Sequence, residues 1–335
     1  MDTEMTSSEI ELKVVDLKKW FPVRMGVIST ILSRKTQYVK AVDGVSFEVK
    51  KGEIFGLAGE SGCGKTTAGK TVLRLLEPTS GEIYFQGQNI TNLSKLEMKQ
   101  LRKKMQIVYQ DPYESINPRM TVYDIINEPV SVHRLADSPA ERYEIIYNAL
   151  KDVELVPPEE YMLRFPHELS GGQRQRVAVA RTLVMKPSFI VADEPISMLD
   201  VSIRAGILKV MLKVGAAGGI SYIFITHDLA YARHICHRGA IMYLGKIVEM
   251  APMDSLVKNP LHPYTVALMA AVPVPDPRLE KAKAIIGGEV PTPIDPPPGC
   301  RFHPRCPKVM AVCREKEPAL QEVENGHFVA CHTIS

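Results

Sequence analysis

Short apolar, β-branched runs alternate with segments of helical period from about residue 10 to residue 250, the pattern of an α/β protein. "IFGLAGE" (54–60) predicts a buried strand entering a glycine-rich turn. "TTAGKTVLRLL" (66–76) predicts a helix with Thr66 near its start and Pro78 just past its end. "QIVYQ", "FIVADE" and "YIFITHD" are further strands with polar residues at their C-terminal ends, where open parallel sheets place ligands. The segment 111–185, about 75 mostly helical residues, is too long for one crossover and predicts an inserted helical subdomain. Past about residue 251 the periodicity gives way to "EVPTPIDPPPGCRFHPRCP", whose prolines exclude regular helix and interior strand. The expected division is a domain over 1–250 and a small, irregular, proline-rich extension over 251–335.

Composition narrows the function. The 335 residues suffice for one large or two ordinary domains, and 41 basic against 38 acidic residues give no reason to expect nucleic acid as the partner. The acidic, polar "MDTEMTSSEIELK" lacks a signal-peptide core, and the apolar runs are of strand length, so the reading is a chain that stays in the cytoplasm. In that compartment clustered cysteines point to metal more than to disulfides.

"GESGCGKT", residues Gly59, Glu60, Ser61, Gly62, Cys63, Gly64, Lys65 and Thr66, fits G-x-x-x-x-G-K-[ST] between a strand and a helix, with Thr67 following. Such a loop turns backbone N–H groups and a helix N-terminus toward phosphate. Lys65 would reach the outer phosphates of ATP, and the Thr66 hydroxyl would hold Mg²⁺. In "FIVADE" (189–194), Asp193 would hold Mg²⁺ and Glu194 would polarise the attacking water.

"LSGGQRQR" (169–176) lies about twenty residues before that strand and resembles the signature of ABC-transporter ATPases. Gln110 matches the family's Q-loop, "SMLD" (197–200) its D-loop ending in Asp200, and His227 of "ITHD" its switch histidine. Six motifs in order identify residues 10–250 as a member of that family. The resemblance implies a P-loop NTPase fold with a RecA-like core sheet plus helical subdomain. It implies Gln110 beside Thr66 and Asp193 as an Mg²⁺ ligand, and a head-to-tail dimer. In that dimer Ser170, Gly171, Gly172 and Gln173 would meet ATP held by the partner. His227 would hold the γ-phosphate, and Phe21 would stack on adenine, with Tyr38 the rival. Ile196 and Met198 depart from the Thr and Ala usual in the D-loop.

"AVDGVSF", "QDPYESINPRM" and "NPLHPYT" resemble the oligopeptide/dipeptide importer branch, specifically its F-type ATP-binding subunit. The implied partners are a second, homologous ATPase, two membrane permeases and an extracytoplasmic solute-binding protein, at the cytoplasmic face of the membrane. Related solutes such as sugars or nickel stay open. The alternative function is a soluble ABC ATPase of DNA repair, translation or iron–sulfur assembly. Tyr113, Ile116, Met120 and Val122 offer a permease-docking surface or, equally, subdomain core. Cys300, Cys306, Cys313 and Cys331, spaced C-x₅-C-x₆-C-x₁₇-C, predict a [4Fe–4S] centre, with Zn²⁺, reduced thiols or a disulfide as alternatives.

Overall fold

The computed structural model describes residues 9–23, 37–271, 291–294 and 296–334; the first eight residues, and residues 289, 290 and 295 of the proline-dense stretch, lie outside them. The strands are β1 (Ile10–Pro22), β2 (Tyr38–Lys50), β3 (Ile54–Ala58), β4 (Ser80–Phe85), β5 (Gln88–Asn89), β6 (Met105–Val108), β7 (Phe189–Asp193), β8 (Ser221–Thr226), β9 (Arg238–Tyr243), β10 (Lys246–Pro252), β11 (Gln321–Glu324) and β12 (His327–Val329). The chain forms two compact units, one of residues 1–49, 54–92 and 224–335, the other of residues 50–53 and 93–223.

In the first unit β2, β1, β4 and β5 form a sheet in that order, with β1 antiparallel to β4 and β4 to β5. Leu12 faces Phe85 and Val14 faces Ile83 across β1 and β4, and all four side chains are buried. A second run of neighbours is β11, β12, β10, β9 and β3. Here β3 pairs in parallel with β9, from Phe55↔Arg238 to Ala58↔Ile241. The rings of Phe47 and Phe55 stack 5.2 Å apart, each burial contributing about 1.5–3 kcal/mol. A two-residue turn, Leu244–Gly245, joins β9 to β10 with both residues at positive φ, as tight hairpins require.

The helix after the phosphate loop runs from Lys65 to Val72, shorter than the pattern through Leu76 predicts. Arg74 takes the left-handed conformation at φ 51°. The amides of Arg74 and Leu75 return to the carbonyls of Thr71 and Lys70 at 2.9 Å each, which closes the helix in a Schellman arrangement. The Arg74 guanidinium then donates to the Ile90 carbonyl at 3.0 Å, so side-chain anchoring overrides helical propensity.

In the second unit β6 and β7 pair in parallel, Met105↔Phe189 to Val108↔Ala192. All five residues of β7 are buried, as a strand covered on both faces requires. Residues 111–185 hold helices Val122–Val132, Pro139–Asp152, Pro158–Met162 and Gly171–Leu183 and no strand. Thr121, Ser138 and Ser170 cap three of them through their hydroxyls. Among the described residues no helix is long and apolar enough to cross a membrane.

Candidate nucleotide site

The phosphate loop and His227 belong to the first unit; Gln110, the signature, Asp193, Glu194 and Asp200 belong to the second. β3 delivers Gly59 at φ 149° and Gly64 at φ 108°. A Cβ on Gly64 would lie 2.0 Å from the Ala41 carbonyl oxygen, and one on Gly59 2.3 Å from that of Met242. Both positions therefore exclude any side chain. Gly64 caps the Lys65–Val72 helix without a side-chain hydrogen bond, and the first turn carries no acidic residue. That leaves the helix dipole uncontested by the protein's own anions.

Lys65 is 5% exposed, and its ammonium donates to the carbonyls of Gly59 at 2.8 Å and Glu60 at 2.9 Å. The loop thus holds its cation in place. Burial pushes the Cys63 thiol above its ordinary value against the opposing pull of Lys65, which suits a space-filling residue more than a reactive one. The Gly245 amide donates to the Cys63 carbonyl at 2.9 Å. His227 is exposed on the bend after β8, and Asp228 caps the following helix through Ala230 and Tyr231.

In the second unit β7 buries Asp193 to 4% exposure at its C-terminal end. Glu194 follows at φ 46°, a conformation that costs a non-glycine residue of order 1 kcal/mol or more and concentrates at functional sites. Its carbonyl accepts from the Ser197 amide at 3.1 Å. The strand expected to end at Gln110 ends at Val108. The Tyr109 carbonyl accepts from Gln175 of the signature helix at 3.3 Å, and Asp111 opens a short 3-10 turn by accepting from the Tyr113 amide.

Ser170 and Gln173 form a capping box at the N-terminus of the Gly171–Leu183 helix. The two glycines differ. A Cβ on Gly171 would meet only Leu199, at 3.7 Å, whereas one on Gly172 would lie 2.5 Å from Ile203 Cγ2. Gly172 is thus required inside the chain itself, while Gly171, exposed beside Ser170, has room. Asp200 precedes the Val201–Gly218 helix with no side-chain cap bond. The departing D-loop residues separate: Ile196 is 5% exposed and Met198 64%.

Of the docking candidates, Ile116 and Val122 are core, at 3% and 0% exposure, while Tyr113 is 44% exposed. Its hydroxyl accepts from Arg174 of the signature helix, whose guanidinium also lies 5.0 Å from the ring centroid. Both partners stand in segments the sequence marks, but their contact with each other is not visible there.

Phe21 and Tyr38 lie on the neighbouring strands β1 and β2. Tyr38 packs on Trp20 at 6.1 Å between ring centroids, and Lys19 lies over Phe21 at 5.0 Å. The Trp20 indole N–H donates to Asp43 at 2.9 Å, fixing a ring that sequence reasoning passes over.

The four tail cysteines come within electrostatic reach of one another. Burial pushes Cys300 up to about 11, with the other three thiols adding to the rise, and burial likewise raises Cys306. The Cys300 amide donates to the Cys313 carbonyl at 2.8 Å. Their sulfurs, however, do not make the expected four-thiolate ligand set. Among the described residues no group of three or more His, Cys, Asp or Glu side chains is arranged to hold a metal ion. Cys331 Sγ is hydrogen-bonded to Thr333 Oγ1 at 3.1 Å, and the His332 ring to the Lys316 carbonyl at 2.8 Å. The donor chemistry suits a metal; the arrangement does not.

Two family descriptions match the chain. The ABC transporter family matches residues 42–197, and the family of oligopeptide/dipeptide transporter C-terminal regions matches residues 248–313. The chain is 47% identical over 332 residues to the oligopeptide transport ATP-binding protein AppF of Bacillus subtilis (strain 168), covering 98% of this chain and 99% of that protein. It is 47% identical to the putative oligopeptide transport ATP-binding protein YkfD of the same organism, covering 89% and 91%. Among solved structures, the ATP-binding cassette MJ0796, a dimer in a post-hydrolysis state bound to ADP and Pi, aligns with a TM-score of 0.62 at 29% identity over 72% of this chain and 98% of that one. CbiO1 of Clostridium perfringens, part of the ABC transporter complex cbiONQ, aligns with a TM-score of 0.62 at 27% identity over 75% and 92%. An identity of 47% that covers 98% of this chain and 99% of the relative, together with the two family matches, places the chain in the family of oligopeptide transport ATP-binding proteins of ABC transporters.

Proposed function

We propose that this chain hydrolyses ATP to power uptake of oligopeptides through two membrane permeases fed by an extracytoplasmic binding protein. The observation that carries the reading is near-complete alignment with oligopeptide transport ATP-binding proteins, together with six nucleotide motifs in order. That alignment disfavours a soluble ATPase of repair, translation or cluster assembly. The chain would sit at the cytoplasmic face of the membrane, held there by the permeases. A second, homologous ATPase would complete the dimer.

At the nucleotide, the Gly59–Gly64 amides and Lys65 bind the phosphates. Thr66, Gln110 and Asp193 would hold Mg²⁺, which would supply charge neutralisation at the transferred phosphoryl group. Glu194 takes the proton of the attacking water, His227 orders the γ-phosphate, and Phe21 stacks on adenine. Ser170, Gly171, Gly172 and Gln173, with Asp200, serve the nucleotide held by the partner ATPase. The test is reconstitution with permeases and binding protein. Peptide should stimulate ATP hydrolysis and Lys65→Ala should abolish it, whereas equal stimulation by sugar or nickel would reassign the cargo.

A metal at Cys300, Cys306, Cys313 and Cys331 belongs to the same proposal, as a structural clamp on the region beyond residue 251. Burial and the neighbouring thiols hold Cys300 and Cys306 above the ordinary thiol range, which supports it, because a bound cation would relieve that repulsion. Metal analysis of anaerobically purified protein should find about four irons per chain. One zinc would decide for zinc, and neither metal would remove the clamp.

A further inference from the structure

The second residue of the phosphate loop is a glutamate, and a carboxylate is an awkward neighbour for a triphosphate. The tail answers it. Arg305, between Cys300 and Cys306, reaches back across 245 residues of sequence: Nη1 donates to Glu60 Oε2 at 2.9 Å, and Nη2 to Oε1 at 3.2 Å. Such a forked pair fixes orientation as well as charge. The Arg305 side chain is 7% exposed and that of Glu60 25%, so solvent screens the pair poorly.

The backbone of the same residue is held too, since the Glu60 amide donates to the Tyr264 hydroxyl at 2.9 Å. Tyr264 packs against Tyr243 at 4.7 Å and Phe302 at 5.4 Å. Tyr243 receives a further bond from Arg305 at 3.4 Å. Arg301 braces the other end of the loop. It pairs with Asp43 and donates to the Leu244 carbonyl, beside the Gly245 amide that holds Cys63.

We propose that Arg305 is a positioning residue for ATP: it neutralises the Glu60 carboxylate and holds it in place, so that the loop accepts a polyanion while Tyr264 fixes its backbone. This rests on the assignment of Gly59–Thr66 as the phosphate site. An uncompensated charge at Glu60 would repel every phosphate the loop receives. Removing Arg305 therefore weakens ATP through Glu60, and removing the charge of Glu60 cures the loss. A merely structural role gives no such cure.

The experiment measures MgATP affinity of the full chain by titration calorimetry, beside thermal midpoints. Arg305→Ala should bind MgATP about three- to tenfold more weakly, and Arg305→Lys should recover part of the loss because it keeps the charge but not the fork. Arg305→Ala combined with Glu60→Gln should return close to the parent affinity. In the assembled transporter Arg305→Ala should raise KM for ATP more than it lowers kcat. Parent affinity in Arg305→Ala, or a double variant as weak as the single one, overturns the proposal. Should Arg305→Ala fail to fold, Arg305→Lys with and without Glu60→Gln carries the same comparison. Lys65→Ala separates the two layers. If it binds MgATP like the parent, the phosphate-site assignment itself fails; if it loses binding while Arg305→Ala does not, only the positioning role falls.

Discussion

Glu194 carries the sharpest expectation among single residues. Glu194→Gln should keep MgATP affinity and lose roughly 10²–10⁴-fold in turnover, the usual size of general-base catalysis. Near-parent turnover in the assembled transporter would reassign the base. The adenine neighbour is equally accessible, because Trp20 is the chain's single tryptophan and packs against Tyr38. MgATP should change Trp20 emission, and Phe21→Ala should weaken binding more than Tyr38→Ala; the reverse order would hand the role to Tyr38. Another effect belongs to pH. His262, buried beside the Glu249 carboxylate that its amide contacts at 2.9 Å, is pushed down to about 4 by that burial. Its folded value lies below the unfolded one, so the unfolded chain binds the proton first. Stability is then intact above about pH 6.5 and falls toward pH 4, by up to roughly 3 kcal/mol. Thermal midpoints should drop across that window and drop less in His262→Gln.

At the scale of elements, the two signature glycines make separable predictions. Gly172→Ala forces a methyl against Ile203, an overpacking that costs about 1–3 kcal/mol, so its thermal midpoint should fall along with activity. Gly171→Ala meets only ordinary contact. It should keep the parent midpoint while slowing hydrolysis of nucleotide held by the partner ATPase; an unchanged rate would remove Gly171 from that contact. Much of this scale is legible in sequence. β3 and β7, buried at four of five and at all five positions, stand out because buried parallel strands read as apolar runs. The phosphate loop is visible because its chemistry demands glycines and a lysine at fixed spacing. The end of the Lys65–Val72 helix is not visible, since Arg74 closes it by anchoring to the Ile90 carbonyl. Nor are the contacts of Glu60 with Tyr264 and Arg305, which join residues more than two hundred positions apart and leave no periodic trace.

At the scale of the molecule, the segment beyond residue 251 lies in the same compact unit as the phosphate loop. Its cysteines attract notice in the sequence, whereas the arginines between and beside them make the contacts. The purified chain alone should hydrolyse ATP slowly, because its signature is expected to serve a facing subunit. Adding the second ATPase should raise the rate, and Ser170→Arg should silence the site whose nucleotide that partner holds. The most direct test of the whole account is ATP hydrolysis by the complete transporter in proteoliposomes, with and without peptide-loaded binding protein. Coupled transport requires hydrolysis that rises with loaded binding protein, accompanies peptide uptake and disappears in Glu194→Gln. Hydrolysis by the solitary, strictly monomeric chain at the full rate of the assembly, indifferent to peptide, would contradict it.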